Sequence, residues 1–228
     1  MYTSRVEPAR RRAFYLILPG LAYVLLWLEL FLPRAESPMD TRWFLVSALK
    51  SMARFAIILA LRGGFPGKAK LPKAKEILDS LRLAALAAAL AAAMAVALYL
   101  ANGAFGSDSA SFGVRDRIGL TPASPSPEAV AASLIWCLAV GYSEELFFRF
   151  FAPDSLVGAG FSPFASQAAL AILFGLSHSA QGLSGILLSG ILGLGFGLSR
   201  LRGTSFHALA LGHAVYNALL LAGGLFSR

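Results

Sequence analysis

Residues 141–150 read GYSEELFFRF, placing two adjacent carboxylates, Glu144 and Glu145, and the guanidinium of Arg149 in a stretch otherwise built to avoid water. The apolar run around them spans 128–157, and about twenty apolar residues suffice for one helical crossing of a bilayer. Composition supports that reading. The chain has 228 residues, 57% hydrophobic and 14% charged, with a mean hydropathy of +0.67, more than the core of a soluble domain of this length requires.

Further apolar spans lie near 13–32, 43–61, 83–101, 163–180, 184–199 and 204–226. With 128–157 they predict an all-α, polytopic membrane helix bundle of about seven transmembrane helices. The second span is the weakest, because Lys50 and Arg54 interrupt it one turn apart and a charge at mid-bilayer costs at least ~2.5 kcal/mol. The alanine-rich third span allows close helix approach. Residues 1–127 are expected to form N-terminal membrane helices and loops specific to a lineage, and 128–228 a core that carries the chemistry, within one integral membrane domain.

The formal charge of +8 does not point to nucleic acid. The basic residues fall in short segments between apolar runs, where they act as topology signals, and no nucleic-acid-reading motif is present. Arg5, Arg10, Arg11 and Arg12 precede the first span, and no small-x-small cleavage site follows it, so it reads as an uncleaved anchor. Residues 62–82 hold Arg62, Lys68, Lys70, Lys73, Lys75 and Arg82 against Glu76 and Asp79. Residues 33–42 are balanced. Positive-inside bias therefore predicts a cytoplasmic N-terminus and a cytoplasmic 62–82 loop, with Arg200 and Arg202 on the same side. The stretch 102–127, with its TPASPSP, is expected to be an outside loop. Cys137 is the lone cysteine, and its apolar setting makes it a small packing residue.

Ionisable groups inside a membrane are costly and mark functional sites. Here they are Glu144, Glu145, Arg149, His178, His207 and His213, joined by the amide of Asn217. Glu145 and Arg149 are one turn apart and can pair along one helix face. Glu144, rotated by about 100°, is left to trade protons. The turn VGAGFSP separates Glu144, sixteen residues before residue 160, from His178, eighteen after it, so an antiparallel hairpin brings them to similar depth. His213 and Asn217 share a face of the last span at a compatible height. A dry site of this kind suits peptide hydrolysis: Glu144 and His178 activate water, and His213 and Asn217 donate to the oxyanion. His207 lies about 240° around the helix from His213 and is read as interfacial or structural.

The residues leave four other readings open, one of them a membrane scaffold that keeps these side chains only for packing. Ser184, in the Gly-x-Ser-Gly of 182–185, is a candidate nucleophile of a rhomboid-type serine protease with His213 as its base; the surrounding glycines are better explained by tight helix packing. The buried Glu, Arg and His residues also suit a small transporter or proton-coupled channel, although no symmetry relates the two halves. Glu144, His178 and His213 form a three-ligand set of zinc type, but the helical zinc signature H-E-x-x-H is missing.

Three motifs in order, EELFFR (144–149), FGLSH (174–178) and HAVYN (213–217), resemble the family of CAAX prenyl proteases and bacteriocin-processing enzymes, over about residues 128–222. The resemblance implies a glutamate-type intramembrane endopeptidase that needs no metal cofactor. It implies that Glu144 and His178 activate water, that His213 and Asn217 stabilise the oxyanion, and that Glu145 and Arg149 support the helix. The implied partners are the lipid bilayer and a membrane-anchored protein or peptide substrate. The expected location is a prokaryotic plasma membrane.

Overall fold

The computed structural model describes residues 9–28, 40–66, 72–105 and 126–226. Seven helices run through them: α1 (Ala9–Leu26), α2 (Thr41–Arg62), α3 (Ala74–Phe105), α4 (Pro127–Gly158), α5 (Pro163–Leu176), α6 (Gly182–Leu201) and α7 (Phe206–Phe226). No strand occurs among the described residues. The protein is an all-α membrane helix bundle.

Several boundaries differ from the sequence reading, each for a local reason. The third span starts earlier, because Glu76 accepts from the backbone N–H of Lys73 at 2.8 Å and favours the amino end of a helix by its charge. Lys75, Glu76, Asp79 and Arg82 therefore ride on the first turns of α3 rather than in a loop. Asp40 caps α2 by accepting from Trp43 N at 2.7 Å, and Ser126 caps α4 ahead of Pro127. Most of the TPASPSP segment, Arg5, and residues 29–32 of the first span lie outside the described residues.

The largest difference concerns the fifth span, which stops at Leu176 instead of residue 180. His178 consequently lies in the turn after α5, and that turn closes at Gly182 with φ 75°, a conformation glycine adopts without strain. By length and composition four helices qualify as membrane spans: Thr41–Arg62, Ala74–Met94, Pro127–Gly158 and Ser179–Leu201. The apolar stretches Arg12–Leu26, Pro163–Leu176 and Phe206–Ala222 are shorter.

Small residues set the packing. A Cβ at Gly141 of α4 would meet the Ala210 carbonyl of α7 at 2.5 Å, and one at Gly175 of α5 would meet the Ile186 carbonyl of α6 at 2.6 Å. Both crossings are therefore backbone-to-backbone, as expected where helices associate by van der Waals contact. Ala84 and Ala87 bury the alanine-rich face of α3, and Gly212 of α7 approaches Leu83 and Ser80. Cys137 is buried among Phe44, Ala132, Ala214 and Leu221. Along α2, Arg54 donates to the Leu26 carbonyl at 2.7 Å and lies 5.2 Å over the Trp27 ring, so its charge caps the end of α1.

One end of the bundle is tied by charge. Asp154 of α4 faces Arg62 of α2 at 3.4 Å and Arg200 of α6 at 3.9 Å. The carboxyl ends of α2 and α6 therefore lie on the same side of the bundle as the α4–α5 turn.

Candidate active site

The site begins with a proline. Pro153 has no N–H, so it cannot close a backbone hydrogen bond to the preceding turn of α4. Residues Leu146–Phe151 form a π-helical segment, and the N–H of Ala152 reaches back to the Phe147 carbonyl. The two carbonyls that an amide at 153 would have served find side chains instead. The guanidinium of Arg149 donates to the Phe148 carbonyl at 3.1 Å, and the amide of Gln167 on α5 donates to the Arg149 carbonyl at 3.1 Å. Such π segments recur at functional sites, and this one follows directly on the two glutamates.

Arg149 and Glu145 pair at 3.3 Å, each 1% exposed. Arg149 also lies 5.0 Å over the ring of Phe174. Glu145 has a second partner: its other oxygen accepts from Nδ1 of His213 at 2.9 Å. A carboxylate only accepts, so His213 carries its proton on Nδ1. Nε2 of His213 then faces Glu144, 3.7 Å from its Oε2. That Glu144 oxygen, like Oε2 of Glu145, is buried without a hydrogen-bond partner, but Glu145 has the bond from His213 on its other oxygen and Glu144 has none.

The sequence reading gave Glu145 to Arg149 alone and His213 to Asn217. The structure gives His213 to both glutamates, because the Gly141 crossing carries α7 directly against α4. Asn217, one turn further along α7, is half-buried, and its side chain makes no hydrogen bond among the described residues. His178 donates from Nδ1 to the Phe174 carbonyl at 2.8 Å, which leaves Nε2 outside that bond. The Phe174 ring lies 4.7 Å from His178 and 6.0 Å from His213, so one aromatic ring neighbours both imidazoles. His207 is elsewhere, bonded through Nδ1 to the hydroxyl of Tyr142 at 3.0 Å.

Glu144, His178 and His213 do not converge as a zinc set: among the described residues no three His, Cys, Asp or Glu side chains are grouped to hold a metal ion. Ser184 lies in the first turn of α6, and both ring nitrogens of His213 are turned to carboxylates. Two participants escaped the sequence reading. Gln167, a lone amide in an apolar span, was visible as an anomaly of the same kind as Asn217. Pro153 was visible as a missing donor inside the longest span.

Residues 126–219 match the family described as Type II CAAX prenyl endopeptidase Rce1-like. No curated protein and no solved structure matches the chain. Residues 126–219, which contain every member of the cluster just described, are similar to the Rce1-like type II CAAX prenyl endopeptidases.

Proposed function

We propose that this protein is an intramembrane endopeptidase that hydrolyses a peptide bond near the end of a membrane-associated protein or peptide, with Glu144 as the base. The supporting observation is the contrast between the two glutamates. Glu145 accepts a hydrogen bond from His213 and pairs with Arg149, whereas Glu144 accepts no hydrogen bond among the described residues and has only Nε2 of His213, 3.7 Å away, as its ionic neighbour. A water at the Glu144 carboxylate gives its proton to Glu144, and the water oxygen attacks the substrate carbonyl carbon. His178, with Nε2 unprotonated, shares the activation of water. His213 donates from Nε2 to the developing oxyanion, held and charged by Glu145 as an acid holds the imidazole in a catalytic triad. Asn217 offers a second donor. As the C–N bond breaks, the abstracted proton passes to the leaving amine, and the products are a carboxylate and an amine.

The depth of the His178 turn fits this chemistry. A 14-residue α5 rises about 21 Å, less than the ~30 Å hydrocarbon layer. Irregular backbone at such depth is tolerated when it lines a wet, protein-walled cavity. The reading places the N-terminus and the Asp154 end in the cytoplasm of a prokaryotic cell, and the substrate tail enters from that side. It needs no metal, since the base and the oxyanion donors are side chains.

The test is cleavage of two reporters by purified protein in vesicles, one a farnesylated peptide ending in CAAX, the other the same tail on a transmembrane anchor. Turnover of either by wild type and Ser184→Ala, lost in Glu144→Gln and His178→Ala and unaffected by a chelator, is expected. Activity that depends on Ser184, or on added zinc, would replace the mechanism. Ion flux with no cleavage of either reporter would replace the function.

A further inference from the structure

The matched region starts at residue 126, yet the turn carrying His178 is fastened from outside it. The hydroxyl of Tyr23 on α1 lies 2.8 Å from Oγ of Ser177, the residue before His178. Ser177 spends its own proton on the Leu173 carbonyl at 2.8 Å, so Tyr23 is the donor in this bond. The two bonds act in series. Tyr23 holds Ser177 Oγ, and Ser177 holds the last turn of α5, from which the Phe174 carbonyl orients the His178 ring.

The segment needs such a hold. His178 has φ −97° and ψ 16°, in the sparsely populated bridge region where active-site residues often lie. Helix α5 ends just before it, and Ser179 and Ala180 are exposed. Tyr23 is itself fixed. Its ring stacks on Trp27 at 5.7 Å and meets Phe147 and Phe148 of the π segment at 6.0 and 6.2 Å. Trp27 packs against the same two phenylalanines, and Arg54 bonds the neighbouring Leu26 carbonyl. The carboxyl end of α1 thus touches the two segments that carry the proposed chemistry: the π turn after Glu144 and the turn holding His178.

We infer that Tyr23 is a positioning residue, which orients the His178 imidazole through Ser177 and so couples α1 to the reaction. This rests on the role given to His178 above. A bond that holds a reacting group affects the rate of the chemical step more than substrate capture. Tyr23→Phe removes only the hydroxyl and keeps the aromatic stack. With the farnesylated CAAX peptide, Tyr23→Phe and Ser177→Ala should each lower kcat about tenfold, the effect of losing roughly one hydrogen bond from the transition state. KM should stay unchanged. The double variant should be no slower than the slower single, because both substitutions break the same chain of bonds.

A second readout needs no turnover. The chain has three histidines, so full-length protein labelled with 15N-histidine gives three assignable imidazoles. Wild type should show His178 as the Nδ1–H tautomer, and Tyr23→Phe should show it exchanging between tautomers. A wild-type kcat in Tyr23→Phe, multiplicative losses in the double variant, or an unaltered His178 signal would each overturn the inference. If His178→Ala retains wild-type turnover, the proposed mechanism fails instead, and the 15N signal still decides whether Tyr23 holds the turn.

Discussion

Two ionic clusters lie on α4, about 14 Å apart along the helix, and in each a carboxylate faces two basic side chains. At the rim, Asp154 faces Arg62 and Arg200 at 3.4 and 3.9 Å, with side chains 24–48% exposed. In the interior, Glu145 faces Arg149 and His213 at 3.3 and 2.9 Å, with the Glu and Arg 1% exposed. Similar distances mean different energies. Solvent screens the rim pairs, which are worth about 0–1 kcal/mol; the interior pairs have lost their water and hold together only as a complete set. The rim cluster therefore joins helix ends, and the interior cluster fixes which atoms meet.

The strongest way to break this contrast is to remove one interior partner. Arg149→Ala leaves Glu145 buried with an incomplete set of donors and should cost about 3–5 kcal/mol, read as loss of folded protein and early thermal unfolding in detergent. A variant that melts with wild type would mean the interior is wetter than its burial suggests. Next comes the crossing that brings α7 to α4. Gly141→Val drives a side chain into the Ala210 carbonyl and should cost about 1–3 kcal/mol, with cleavage falling alongside. Gly195→Ala on α6, which meets nothing within 4 Å, is the matched control and should be neutral on both counts.

Gln167→Leu removes the donor that the Pro153 gap requires and leaves the Arg149 carbonyl unpaired, at about 1–3 kcal/mol. The same melting experiment measures it. The smallest effect belongs to the rim: Asp154→Asn should shift stability by less than about 1 kcal/mol and leave cleavage intact. A large loss there would make the rim a structural centre equal to the interior.

Which parts were legible in the residues follows from the same physics. Helices announce themselves by apolar length, so all seven were read, and the Glu145–Arg149 pair follows from one-turn spacing. Helix ends were less visible. The start of α3 depends on Glu76 reaching back to Lys73, and the end of α5 depends on a turn that only Gly182 permits. The partner of His213 was hidden for a different reason. It is set by how closely α4 and α7 approach, and that distance is decided at Gly141, where the signal is a missing side chain. His178 and Asn217 were visible as polar anomalies, but their spacing could not say that one imidazole would bond the Phe174 carbonyl and that the amide side chain of the other would bond nothing among the described residues.

The central claim is that two neighbouring glutamates have been given different work by their surroundings. Glu144→Gln and Glu145→Gln, purified in parallel and measured for single-turnover cleavage and thermal unfolding, test it directly. The expected result is a Glu144→Gln protein that melts like wild type and cleaves nothing, beside a Glu145→Gln protein whose melting falls first. Wild-type turnover by Glu144→Gln would contradict the account.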